Sequence, residues 1–247
     1  MSTNRIRHLL VAVIAVVAFS AIASSSAFAA EEFFTCQASA TGHFEESKCE
    51  KEGTTKADEW LAITAAKKIT GTSGNSKLEG TVAGLKLIIE CKKDKTTGTT
   101  NEIETAGKNK GKILFEECGH PTEILRGNRK ELTACTVANI EFSFLSQLIA
   151  GKGAGPELEF KPSPSTSTLF VTIKITGCAL PEENKVEVAA VGDGITCALP
   201  EAEVGLVVHE IACASTGDAN LRFAGKAASF TSVEKVEIEN KERWLAR

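Results

Sequence analysis

The chain contains no tyrosine, and its single methionine is the initiator. Two tryptophans, Trp60 and Trp244, are the only indole rings, a thin supply for the stacked aromatic platforms of a sugar-binding groove. Aspartate is equally scarce, with four residues (Asp58, Asp94, Asp193, Asp218) against 28 glutamates. Dedicated calcium loops use aspartate repeatedly, so that composition counts against them. No Cys-x-x-Cys pair is available to grip a metal, and no Gly-x-Ser-x-Gly elbow presents a serine nucleophile. Long apolar runs are absent too: the longest, residues 9–19, falls short of the roughly 20 residues a membrane-spanning helix needs.

What that run does resemble is the core of an export signal. Arg5, Arg7 and His8 form a basic start, the apolar run follows, and Ala27-Phe28-Ala29 supplies the small-x-small pattern of a cleavage site. Cleavage is expected after Ala29, making 1–29 a removed signal peptide and Ala30 the first mature residue. No twin-arginine pair is present, and the chain closes on Glu-Arg-Trp-Leu-Ala-Arg with neither a hydrophobic tail nor a sorting motif. The expectation is therefore a secreted protein, with no membrane attachment once the signal is gone. Without Arg5 and Arg7, 26 basic residues face 32 acidic ones, a net charge of −6 that excludes a nucleic-acid partner.

All eight cysteines (Cys36, Cys49, Cys91, Cys118, Cys135, Cys178, Cys197, Cys213) follow the signal. An even number in an exported chain predicts structural disulfides. Alternation of period two recurs between them. Leu169, Val171, Ile173 and Ile175 share one strand face, as do Leu85, Leu87, Ile89 and Cys91. Shorter runs follow at Ile140 to Phe144, Leu158 and Phe160, Val186 and Val188, Leu221 and Phe223, and Val236 and Ile238. Turn-rich segments separate them. The pattern predicts an all-β chain, an antiparallel sandwich or barrel-like fold braced by disulfides, with at most one short helix, at Phe144–Ala150. Residues 30–247 are expected to form one domain, with 30–57 a disulfide-closed N-terminal segment.

A weak duplication sits on the cysteines. Ile113 to Cys118 and Ile173 to Cys178 both end a strand with apolar-x-apolar-x-x-Cys, and another cysteine follows at Cys135 and at Cys197. Proximity and this repeat pair Cys118 with Cys135, Cys178 with Cys197, and Cys36 with Cys49, leaving Cys91 for Cys213. Eight cysteines allow 105 connectivities, of which this is one. The order Gly42-His43-Phe44, Cys49, Trp60, Leu87-Ile88-Ile89-Glu90-Cys91, Cys118, Cys135 and Leu158-Glu159-Phe160-Lys161-Pro162 resembles a group of secreted proteins of soil actinobacteria with no assigned activity. The resemblance covers most of the mature chain and rests on structural residues. Glu117 departs from it, standing where a small residue is expected before the cysteine, as Gly177 provides in the second copy.

Candidate chemistry is sparse. His209-Glu210-Ile211-Ala212-Cys213 has the outline of a zinc-protease motif, but it lies in an expected strand and Cys213 is claimed by a disulfide. Cys118-Gly119-His120 loses its sulfur ligand in the same way. Gly151 to Gly155 is followed at once by Pro156, as a turn rather than a phosphate loop. Three pairs of glutamates share a strand face, Glu157 with Glu159, Glu102 with Glu104, and Glu237 with Glu239. Such pairs could serve a glycosidase, yet they also describe any half-exposed strand. Trp60 is expected in the core or capping the Cys36–Cys49 loop, and Trp244 is expected at the surface. No catalytic, cofactor or metal residue is therefore assigned. The function expected is a non-catalytic binding or structural protein, extracellular or associated with the cell envelope, whose extracellular ligand the sequence does not identify, polysaccharide and cell wall being the candidates. The alternative is a secreted glycoside-active enzyme using paired glutamates in a sandwich cleft.

Overall fold

The computed structural model describes residues 31–45, 49–52, 57–82, 84–125, 127–151, 155–177, 185–190, 194–202, 204–215 and 221–247. Ala27, Ala29, Ala30 and Cys178 lie outside the described residues, as does the centre of the Gly151–Gly155 turn. Within them the secondary structure is β throughout. The strands of the N-terminal half are β1 (Phe33–Ala38), β2 (Asp58–Ala62), β3 (Lys67–Ser73), β4 (Ser76–Val82), β5 (Leu85–Thr96), β6 (Glu102–Ile103), β7 (Lys108–Cys118), β8 (Thr122–Leu125), β9 (Asn128–Glu131) and β10 (Thr136–Val137). Those of the C-terminal half are β11 (Ile140–Ile149), β12 (Glu157–Pro162), β13 (Leu169–Thr176), β14 (Lys185–Ala190), β15 (Ile195–Ala198), β16 (Val208–Ser215), β17 (Leu221–Phe223), β18 (Lys226–Ala227), β19 (Ser229–Ile238) and β20 (Trp244–Ala246).

Ten of these strands close into an antiparallel barrel. Neighbours run β16–β15–β12–β11–β7–β5–β4–β19, and β19 pairs back onto β16. Strand β3 pairs with both β19 and β5, while β6 links β3 to β7. Closure satisfies backbone groups that an open sheet would leave on its edges. The β8–β9 hairpin extends the wall from β5. A five-stranded sheet, β10–β13–β14–β17–β18, packs over one end, with β17 and β18 against β4 and β13 against β11 and β12. Gly80 makes that approach possible, because a Cβ there would lie 2.3 Å from the Phe223 ring. A third sheet, β2–β1–β20, joins the two ends of the described chain.

The segment given as a possible helix, Phe144–Ala150, lies almost wholly in β11 instead. Its buried residues alternate strictly, Phe144, Ser146 and Leu148. The misleading signal is Ser146, a polar residue that faces the interior opposite Asn109 of β7 and leaves Phe144 and Leu148 at helical spacing. In β13, Phe170 belongs on the outer face by parity, but a β-bulge between Leu169 and Val171 turns it inward to 8% exposure. Trp244 also departs from expectation. It is buried because β20 pairs with β1 and its backbone exchanges hydrogen bonds with Leu206. Phe33 meets the indole edge-on at 5.8 Å. Trp60 lies opposite Cys36, half-buried, over Gly205.

Three disulfides join described cysteines: Cys36–Cys49, Cys91–Cys118 and Cys197–Cys213. The first is the expected pair. The other two overturn the repeat-based pairing of Cys118 with Cys135, Cys178 with Cys197 and Cys91 with Cys213. Each joins residues directly opposite on adjacent strands, Cys91 to Cys118 across β5–β7 and Cys197 to Cys213 across β15–β16. Strand neighbourhood, which sequence spacing does not encode, decided the partners. Cys135 is also disulfide-bonded.

Candidate functional site

The interior of the barrel carries two features, a polar row and an apolar cavity. The row begins in the wall register. Glu234 of β19 lies opposite Ser73 of β3, and Ser73 lies opposite Asp94 of β5. All three thus sit side by side across three strands, between Ile211 and Phe115. Ser73 and Ser76 both donate to Asp94 Oδ2, the latter at 2.7 Å, and Ser76 meets Ser232 at 2.8 Å. Glu234 packs over Gly71, where a Cβ would come within 2.4 Å of Oε1. Asp94 Oδ1 and Glu234 Oε1 have no hydrogen-bond partner among the described residues. Burial, with Asp94 adding like-charge repulsion, pushes the Glu234 carboxyl up to about 8, so it is a neutral acid at pH 7.

A second row runs parallel to the first. Leu158, Cys197, Cys213 and Ser232 are successive opposite residues. The Ser232–Ser76 hydrogen bond carries the line to Cys91 and then Cys118. The serine pair is therefore flanked on each side by a cross-strand disulfide. These bonds pin the strands that hold the serines.

Above this floor lies a cavity of about 60 Å³ between barrel and covering sheet. Its walls are apolar: Leu78, Ile89, Phe115, Phe142 and Phe230 from the barrel, and Phe170, Val171, Ile173, Val188 and Leu221 from the sheet. Phe115 stacks on Phe142, and Phe170 and Phe230 meet that pair edge-on. Among the described residues Ser76 is the only polar side chain in the lining. On its other side Ser76, with Cys91, lines an open cleft of about 680 Å³ bearing Asn75, Lys77, Glu90, Lys92, His120 and Glu131.

The residues singled out from sequence fall elsewhere or are already engaged. Glu102 and Glu104 both pair with Lys110, Glu159 pairs with Lys161, and Glu237 accepts from Thr70. Glu102, Glu104 and Glu159 are thus engaged in ion pairs with lysines. His209 lies on β16, as the strand reading required, and its Nε2 donates to the Trp244 carbonyl at 2.7 Å. Burial holds its pKa below the ordinary histidine range, partly offset by that carbonyl. Glu210 points the other way, toward Lys235. His120 donates from Nδ1 to the Cys135 carbonyl, while Cys118 is oxidised. Among the described residues no three His, Cys, Asp or Glu side chains cluster to hold a metal.

The cleft holds two carboxylates, Glu90 and Glu131. Arg129 pairs with Glu90 at 3.0 Å. Glu131 is opposite Thr122, which is opposite Ile88, so it stands two strands from Glu90 and two residues along. Sheet spacings put their backbones roughly 12 Å apart. Among the described residues no aromatic ring lines this cleft.

The sequence reading missed Asp94, Glu234 and the cavity. A signal for Glu234 exists, since it is in phase with Val236 and Ile238. Asp94 is hidden by a break in alternation: Leu87, Ile89 and Cys91 are buried, and the next buried residue is Asp94. No protein-family model matches the chain, and no curated protein or solved structure matches it either.

Proposed function

We propose that this is a secreted, non-catalytic protein that acts outside the cell as a binding or envelope-associated structural module, with polysaccharide or cell-wall material as its partner. The observation that carries this reading is the disposition of the carboxylates. Glu102, Glu104 and Glu159 pair with lysines, and in the cleft Glu90 is held by Arg129, with no aromatic ring among the described lining residues to seat a sugar beside it. Disulfides across the barrel wall suit an oxidising exterior. No described helix is long and apolar enough to cross a membrane.

The competing glycosidase reading is tested by incubating the protein with soluble and insoluble polysaccharides and measuring reducing ends. The expected result is no release above background. Release that disappears in Glu90→Gln or Glu131→Gln would establish the enzyme and overturn the binding module.

A further inference from the structure

We propose that the cavity between the barrel and its covering sheet binds a small aliphatic ligand, or the aliphatic end of a longer one, with no polar group of that ligand inside. This names a ligand class for the binding module above and rests on that reading. Native interiors carry few voids larger than a water molecule. A cavity of about 60 Å³ exceeds the roughly 10–15 Å³ one water needs, and stays below the roughly 150 Å³ of a dry cavity known to take benzene. Its walls, including Leu78, Ile89, Phe115, Phe142, Phe170 and Ile173, offer no donor or acceptor.

The one hydroxyl offers the cavity no donor either. Ser76 gives its single proton to Asp94 and accepts from Ser232, both on the side away from the apolar walls. Water gains nothing in such a space, whereas methylene groups gain contacts on every side. Leu78, Phe142, Val171 and Phe230 are only half-buried, and the cavity is partly open to the surface. A longer ligand can therefore keep its polar end in solvent.

The test is methyl-detected NMR on the full mature protein, titrated with xenon and with n-alkanols from butanol to decanol. Saturable shifts confined to methyls of Leu78, Ile89 and Ile173 are expected. Affinity should rise about fourfold per methylene until the cavity is filled, and then level off. Val171→Phe, and independently Val188→Phe, should weaken alkanol binding at least tenfold. Absence of saturable alkanol shifts in the wild-type protein would overturn the inference, as would binding of xenon alone. A climb in affinity through decanol without levelling, spread over surface methyls, would mark non-specific partitioning and overturn it as well. Alkanol binding in a protein that ignores cell walls would sink the envelope reading alone, and wall retention without alkanol binding would sink the cavity ligand alone.

Discussion

Two residues in the left-handed region show how backbone demands surface in sequence. Gly177 has φ of 83° and Glu117 has φ of 53°, each immediately before the cysteine that ends its copy of the duplicated strand. The expectation of a small residue at 117 was therefore sound, and Glu117 fills the position at a conformational cost. It is exposed, and Lys93 pairs with it. Glu117→Gly should raise stability by about 1 kcal/mol, read as a higher thermal midpoint. Gly177→Ala should do the reverse, since its Cβ would also lie 2.1 Å from the Ala134 carbonyl oxygen. A lower midpoint for Glu117→Gly would show that the Lys93 contact outweighs the strain.

Glu234 makes a prediction in pH. Its folded pKa is raised from the ordinary 4.5 to about 8, so the folded state holds a proton that the unfolded chain releases. The resulting stability is complete below about 4.5 and is lost as pH rises toward about 8, at up to about 1.4 kcal/mol per pH unit. Buried His209 acts oppositely: its lowered pKa contributes stability above about 6.5, the ordinary histidine value, that is lost as pH falls below it. Denaturant unfolding across pH should show Glu234→Gln with its alkaline slope removed and its acid limb intact. An unchanged alkaline slope would place the titrating group elsewhere.

At the scale of elements, alternation was legible where both faces obey it and opaque where one residue breaks phase. Strands β5 and β13 could be read directly from Leu87, Ile89 and Cys91 and from Ile173 and Ile175. The inward Ser146 obscured β11, and the step from Cys91 to Asp94 concealed the interior carboxylate. Strand pairing was not legible at all, because Cys91–Cys118 and Cys197–Cys213 follow from which strands become neighbours on closure. Non-reducing peptide mapping should recover those two linkages, and recovery of Cys91 bonded to Cys213 would contradict the barrel order. The loops closed span 27 and 16 residues. Removing either bond by paired Cys→Ala substitution should cost about 3 kcal/mol in the chain-entropy account, measured by denaturant unfolding.

On the scale of the whole molecule, the barrel turns its chemistry inward and its charge outward. Its interior combines a neutral acid, a serine pair between disulfides and an apolar chamber. Several of its surface glutamates, among them Glu79, Glu102, Glu104 and Glu116, pair with lysines. Binding at the cell envelope is the account's central proposal. Composition held no trace of the chamber, which exists only once β13, β14 and β17 cover the barrel.

The most direct test is co-sedimentation of the purified mature protein with insoluble bacterial cell-wall material, followed by a high-salt wash. The account predicts that the protein stays in the pellet, saturates with added protein and is recovered intact. Protein remaining wholly in the supernatant would contradict it.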